Sequence, residues 1–470
     1  MRAALAAESA NIPSVSIVCE GFAGQALATG RGYGYDGLAL AQTVGHVDAQ
    51  GTDEMTENFL ASTVDQVVEG LTGRLVEGSV ETANSEPSAL DIVISGSIDD
   101  INTGFRERQW TDGHPVVPPT IPRVQAFLEP SGHDPWKVLG VAPSSGRDVT
   151  VWSIGVNAVM AGCAPEHLPV LMSIAEVLLD PSYGSEHSGN TTGADALVVF
   201  SGPAGAQLGF NHAAGALREG THANTSVGRW LRLYLRNVFG FTGDALDKAT
   251  FGNSTRVVLA EDHAALVDIG WPSLAEDLGA TPGTDAISVA RLNSGTIIGS
   301  VFGSTPSEIA PYLGNGIART AAWDLTHVYG LGHDQFAPLL VLSPILARTF
   351  ANAGMSKAAV QEMLFEHARI PALTFESMIG QWSNLTAGRR TLTELVAEGL
   401  LPQVFAESED PARLVPVVTR PERLLIAVAG DPHRTNAYAF SNDGPHGWWT
   451  TKPIDFEFAS DLFCEVPQPD

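Results

Sequence analysis

The sequence predicts an α/β protein in two parts. A small α/β unit covers residues 1–75, a connection covers 76–88, and a larger, mainly parallel α/β domain covers 89–470. Three observations carry this. The stretch ADALVVFSGPAGAQLGFNH, Ala194–His212, reads as a buried strand that stops at Ser201-Gly202-Pro203 and restarts as a helix. The same order of apolar strand, small residue, proline and helix recurs at Ala337–Pro344 and at Leu424–Pro432, which raises the expectation of an internal structural duplication. Val76–Ser88 (VEGSVETANSEPS) has no periodicity and reads as a connection.

Along the chain, Ile12–Val18 is the first expected strand, and Gly21–Ala26 starts a helix. Thr63–Leu71 has helical spacing at Val64, Val67, Val68 and Leu71. Asp112–Thr120 carries three prolines, which hold it extended and strip backbone donors, so it is a strap or a pocket wall rather than a central strand. Val151–Ala161 is apolar nearly all round and expected to be buried. Leu168–Leu179 follows it, and Val227–Val238 is amphipathic. Ser356 is the expected N-cap of a helix reaching His367.

The chain has 470 residues with 26 basic and 53 acidic side chains, a net charge of −27. Such a surface repels phosphates and anionic lipid, so neither nucleic acid nor membrane is an expected partner. No apolar run is long enough to span a bilayer, and the first residues lack the apolar core of a secretory signal; the cytoplasm is the expected location. Cys19, Cys163 and Cys464 are too scattered for a disulfide framework. Arginine far outnumbers lysine, and Ala and Gly are abundant, a pattern expected of a GC-rich bacterial genome.

The chemistry-bearing residues gather in predicted loops. Ligands in open parallel sheets bind at the carboxyl ends of strands, so the turns at Ser201-Gly202-Pro203, Ser343-Pro344 and Gly430-Asp431-Pro432 are expected to wall one pocket. Cys163, just before a helix N-terminus, is expected to have a lowered thiol pKa, with His167 in reach. Arg229, Arg232 and Arg236 share one helix face behind the caps Asn224 and Thr225, and Arg229 would anchor an anionic substrate. His212, His222, His333, Asp334 and His433 offer proton transfer or ligands to a divalent metal, His333 and Asp334 being the metal candidates. Thr191 and Thr192 supply neutral donors, and Thr192 with Asn224 could polarise a carbonyl. Gly32–Gly37 spells G-x-G-x-x-G but follows no strand, so no nucleotide cofactor is expected; nucleophile-elbow, Walker and H-E-x-x-H motifs are absent.

Several of these segments resemble a bacterial family called UGSC-like, after a selenocysteine- or cysteine-Gly-Ser-Cys motif. The resemblance lies in GHPVVPPTIPRV (Gly113–Val124), VNAVMAGCAPEHLPV (Val156–Val170), NTT…ALVVFSGP…LGFN (Asn190–Asn211), HANTSVGRWLRL (His222–Leu233), GDALDKATFGN (Gly243–Asn253) and GMSKAAVQEMLFEHARIP (Gly354–Pro371). It implies that IPSVSIVCEGFAGQA is the second strand and helix of the family's small domain. The motif-bearing first strand would then fall before Met1, which argues against dithiol chemistry here. Ser343-Pro344-Ile345-Leu346 also stands where the family implies an acidic or histidine-bearing turn.

These readings converge on an intracellular enzyme acting on a small anionic organic molecule by non-redox chemistry of lyase, hydratase or hydrolase type. Homo- or hetero-oligomers are expected. Two alternatives stand beside it: a thiol-dependent oxidoreductase working through Cys163, and a half-site subunit whose partner carries the Cys-Gly-Ser-Cys loop. The exposed edge at Val15–Val18 would receive such a partner.

Overall fold

Alternating strands and helices fill a computed structural model of the chain, which is described over residues 2–32, 35, 37–46, 50–73, 88–243, 246–253, 257–321, 334–382, 391–446 and 448–456. The fold is α/β. Two compact units are interleaved along the sequence: Met1–Glu129 with His133–Met160 and Arg232–Lys248, and Pro130–Gly132 with Ala161–Leu231 and Ala249–Asp470. His333, Cys464, most of the expected connection, and Tyr33, Gly34 and Asp36 of the glycine motif lie outside the described residues.

In the first unit, β1 (Ser16–Cys19) pairs in parallel with β2 (Leu40–Thr43), and the helix Ala23–Gly32 lies between them in sequence. The helix Val64–Leu71 follows a π-turn over Phe59–Thr63, and the Thr63 hydroxyl donates to the Gln42 carbonyl of β2 (3.1 Å). Ser97 and Asp100 close a capping box on the helix Ile98–Glu107. β3 (Val138–Val141) and β4 (Asp148–Thr150) pair antiparallel, and the buried helix Val151–Ala161 starts directly after β4. The proline-rich segment before Thr120 forms no strand. It is held by single bonds such as Val116 N–H to Asn102 Oδ1 (2.7 Å), as a strap would be.

The second unit is built on one curled sheet. Its strands are β5 (Asp195–Ser201), β6 (Val258–Ala260), β7 (Ala286–Ile298) and β8 (Leu339–Leu342), then β11 (Leu425–Val428), β12 (Ala437–Asn442) and β13 (Thr450–Pro453) after the separate two-stranded antiparallel pair of β9 (Arg369–Pro371) and β10 (Leu414–Pro416). The order is β11-β8-β12-β7-β5-β6, with β13 also on β7. β5 and β6 are parallel, as are β8 and β11, but β7 runs antiparallel to β5 and β12, and β12 antiparallel to β8. The sheet is therefore mixed rather than mainly parallel. The reason is the insertion of β7 and β12, whose polar residues kept them from reading as buried strands. The strand order shows no duplicated unit.

Strand alternation explains why the short runs are apolar throughout. Leu339, Val341, Leu425 and Ala427 join one core with Leu197, Val199 and Leu259. Their neighbours Leu340, Leu342, Ile426 and Val428 face a second core with Ile309, Leu313, Val360 and Leu364 from the helices Pro306–Thr320 and Lys357–His367. A strand covered on both faces needs apolar residues at both parities. Ser356 caps its helix through Ala359 N–H (3.2 Å), as expected.

Candidate functional site

The curl of the sheet brings several strand ends together. Glu261 N–H, just past β6, donates to the Phe200 carbonyl of β5 (2.9 Å), and Asp262 N–H donates to the Val428 carbonyl of β11 (2.7 Å). Ala429 N–H reaches the Leu342 carbonyl of β8 (3.0 Å), and Gly430 N–H the carbonyl of His212 (2.7 Å). Ser201, His212 and Gly430 are thus neighbours of Glu261 and Asp262, two acids the sequence reading passed over. Gly202 has φ 125°, and a Cβ there would stand 2.7 Å from Asp285 Cα, so only glycine fits that turn.

The chemistry of this corner is acidic. Glu261 is 4% exposed; its Oε2 accepts from Ser201 Oγ (2.6 Å) and Leu274 N–H (2.9 Å), while Oε1 has no hydrogen-bond partner. Burial pushes its carboxyl above the ordinary range, against the pull of the Lys357 ammonium. His212 Nε2 lies 3.8 Å from Asp262 Oδ1, and Asp262 also caps the helix His263–Ile269. His433 is exposed, and its backbone N–H is held by Asp431 (2.8 Å).

A second group forms around Cys163. Its thiol is buried, and burial pushes it up to about 12 although Ser226 and Arg229 pull it down. The expected lowering by the helix terminus is overridden: at neutral pH this is a thiol, not a thiolate. His167, 1% exposed, accepts from Ala164 N–H at Nδ1 (3.3 Å) and donates from Nε2 to the Leu208 carbonyl (3.4 Å), and burial keeps it neutral. His222 donates to the Gly162 carbonyl (2.8 Å). Asn224 lies inside the helix His222–Asn237 rather than capping it. Its amide is spent on Asn211 N–H (2.8 Å), the Asn211 carbonyl (3.0 Å) and the Val258 carbonyl (2.7 Å), which leaves nothing to polarise a substrate carbonyl.

Asp334 is held by Thr419, by Arg420 (2.7 Å) and by Arg423 (2.6 Å), which pull its carboxyl below the ordinary range against its partial burial. Among the described residues no three His, Cys, Asp or Glu side chains are grouped to hold a metal ion.

Thr191 and Thr192 lie at the opposite end of β5, beside a polar cluster with no counterpart in the sequence reading. Thr192 Oγ1 donates to Asn190 Oδ1 (2.9 Å) and Asn293 Oδ1 (3.2 Å), and Asn190 Nδ2 donates to Asp443 Oδ2 (2.7 Å). Asp443 is 5% exposed and follows β12; burial raises its carboxyl, opposed by Arg291, His446, Asn293 and Asn190. The same Oδ2 lies 3.8 Å from Arg291 Nε and 3.9 Å from His446 Nδ1, and the His446 ring stacks on His187 (5.0 Å between centroids). Arg291, 1% exposed, places its guanidinium 4.7 Å from the centre of the Tyr183 ring. None of its three side-chain nitrogens has a hydrogen-bond acceptor, and the hydroxyls of Tyr183, Ser185 and Ser188 also lack partners. Only the presence of asparagine, aspartate and histidine around a strand arginine could have flagged this cluster in advance.

Comparison with protein-family models, with curated proteins and with solved structures returns no match to this chain.

Proposed function

We propose that the chain is an enzyme acting on a small carboxylate-bearing molecule by non-redox proton transfer, at the Arg291–Asp443–His446 cluster. One observation carries this reading: a guanidinium 99% removed from solvent, with every nitrogen short of an acceptor. Asp443 offsets the charge of this guanidinium at 3.8 Å, but leaving its donors without a hydrogen-bond acceptor is costly, and a carboxylate supplies two coplanar oxygens that match the guanidinium fork. The Tyr183 ring packs against that fork, 4.7 Å from its centre to the guanidinium carbon. His446, 43% exposed at its side chain and 3.9 Å from Asp443 Oδ2, is the group that would exchange protons with the substrate.

A panel of small mono- and dicarboxylates should raise the melting temperature of the protein. Each charge-assisted bond contributes about 1.5–3 kcal/mol, so Arg291→Lys should weaken the best ligand about tenfold to a hundredfold. Tyr183→Phe, which keeps the ring, should weaken it by less, and His446→Gln should bind but not turn over. A panel that leaves the wild type unshifted, or an Arg291→Lys protein that binds as well as wild type, would defeat the reading.

A second reading, a half-site subunit, has one observation in its favour. A groove of about 390 Å³ runs beside β1, lined by Ala3, Ala4 and Ser14–Ile17, and Ile17 is 49% exposed. Co-purification of a short chain that is lost on Ile17→Lys would support that reading over the first.

A further inference from the structure

The first unit holds a cavity of about 620 Å³ that none of the expected site residues line. Its size is that of a small-molecule pocket. Four aromatic rings shape it: Phe105, Trp110, Trp136 and Trp152. Phe105 and Trp110 meet edge to face (5.6 Å, 83°), and Trp136 stacks on Trp152 (5.3 Å, 27°). Trp152 is 5% exposed, whereas Trp136 is left 48% exposed, a large apolar surface open to a ligand.

The polar part of the wall is as telling. Asp148, in β4, is exposed and has no ion-pair partner among the described residues, and Asp91 adds a second carboxylate. The guanidinium in the wall, Arg147, is turned to the protein frame: its Nη1 donates to the Asn237 carbonyl (3.0 Å). Arg108 already sits over Trp110 (5.7 Å to the ring centre), so an aromatic ring of this wall takes a cation. Electron-rich ring faces beside exposed carboxylates attract positive charge, and the net charge of −27 draws cations toward such an opening.

From this arrangement we infer that the cavity is a binding site for a small organic cation, an alkylammonium or quaternary ammonium compound, separate from the carboxylate chemistry proposed above. The rings receive the alkyl groups around the nitrogen, and Asp148 supplies the opposite charge at the mouth. A neutral molecule of the same shape would gain the apolar contact but neither the ring-face attraction nor the Coulomb attraction.

Choline and its uncharged carbon isostere 3,3-dimethylbutan-1-ol separate the two cases. Titrated into the full-length protein and followed by tryptophan fluorescence, choline should bind saturably and at least about tenfold tighter than the alcohol. Trp136→Ala should weaken choline about tenfold, and Asp148→Asn, an exposed change that keeps the side chain's size, about fivefold with a flatter salt dependence. Equal binding of choline and the alcohol would overturn the inference, as would no saturable binding of choline or affinity unchanged in both variants.

Discussion

Burial works against a charge at both Cys163 and Glu261, and neighbouring groups oppose it at each. Removing the thiolate from water outweighs the hydrogen bond with Ser226 and the charge of Arg229, which pull the Cys163 thiol down, and leaves the group at about 12. Iodoacetamide should therefore label Cys163 more slowly at pH 7 than free cysteine, and Cys163→Ser should fold and keep its activity; fast labelling would restore the nucleophile. At Glu261 the same desolvation raises the carboxyl. A raised carboxyl means the native state holds its proton more tightly than the unfolded chain, so this group stabilises at acid pH. That contribution is lost as pH rises above the ordinary carboxylate range. Glu261→Gln keeps an acceptor for Ser201 Oγ and Leu274 N–H and never ionises. Its melting temperature relative to wild type should climb as pH rises above the ordinary carboxylate range. A difference that is flat or falls as pH rises would show that Lys357 keeps Glu261 ionised.

Elements show where sequence pattern is informative. Leu339–Leu342 and Leu425–Val428 were legible as buried strands because both parities are apolar, and the turns after them were legible as strand-end loops. β7 was not, because Arg291, Asn293, Ser294 and Gly295 interrupt its apolar character. Nor was the Arg291–Asp443–His446 cluster, which exists only through the pairing of β7 with β12 and the bond from Asp443 N–H to the Arg291 carbonyl (2.8 Å). Periodicity says that a strand is buried but not which distant strand lies beside it. The link from Lys452 in β13 to Asp180 at the end of Leu168–Leu179 is of the same long-range kind (2.6 Å). Burial pushes Asp180 up, but bonds from Lys452 and Ser182 outweigh it and hold the carboxyl at about 2. A depressed carboxyl stabilises above its unfolded pKa and loses that contribution as pH falls through the folded value. Lys452→Met should thus cost at most about 1 kcal/mol at neutral pH, and its deficit should close between about pH 4 and pH 2. A deficit that persists unchanged at pH 2 would mean that lost packing, not charge, is what the substitution removed.

The whole molecule carries a net charge of −27, and that field acts with opposite sign on the two proposed ligands. A carboxylate approaching the Arg291 cluster meets a repulsive surface before it reaches the buried guanidinium, whereas an organic cation approaching the Trp136 cavity is drawn in. Salt shortens the reach of both effects, to about 10 Å at 0.1 M and about 3 Å at 1 M. Contacts inside the Arg291 cluster are screened far less than the approach, because that guanidinium is 1% exposed. Raising NaCl should consequently speed association of the carboxylate and slow association of choline, with dissociation rates changing much less. Stopped-flow titrations of both ligands on the same preparation test this directly. If both association rates shift in the same direction, the long-range field is not what governs access, and at least one ligand is binding somewhere other than its assigned cluster.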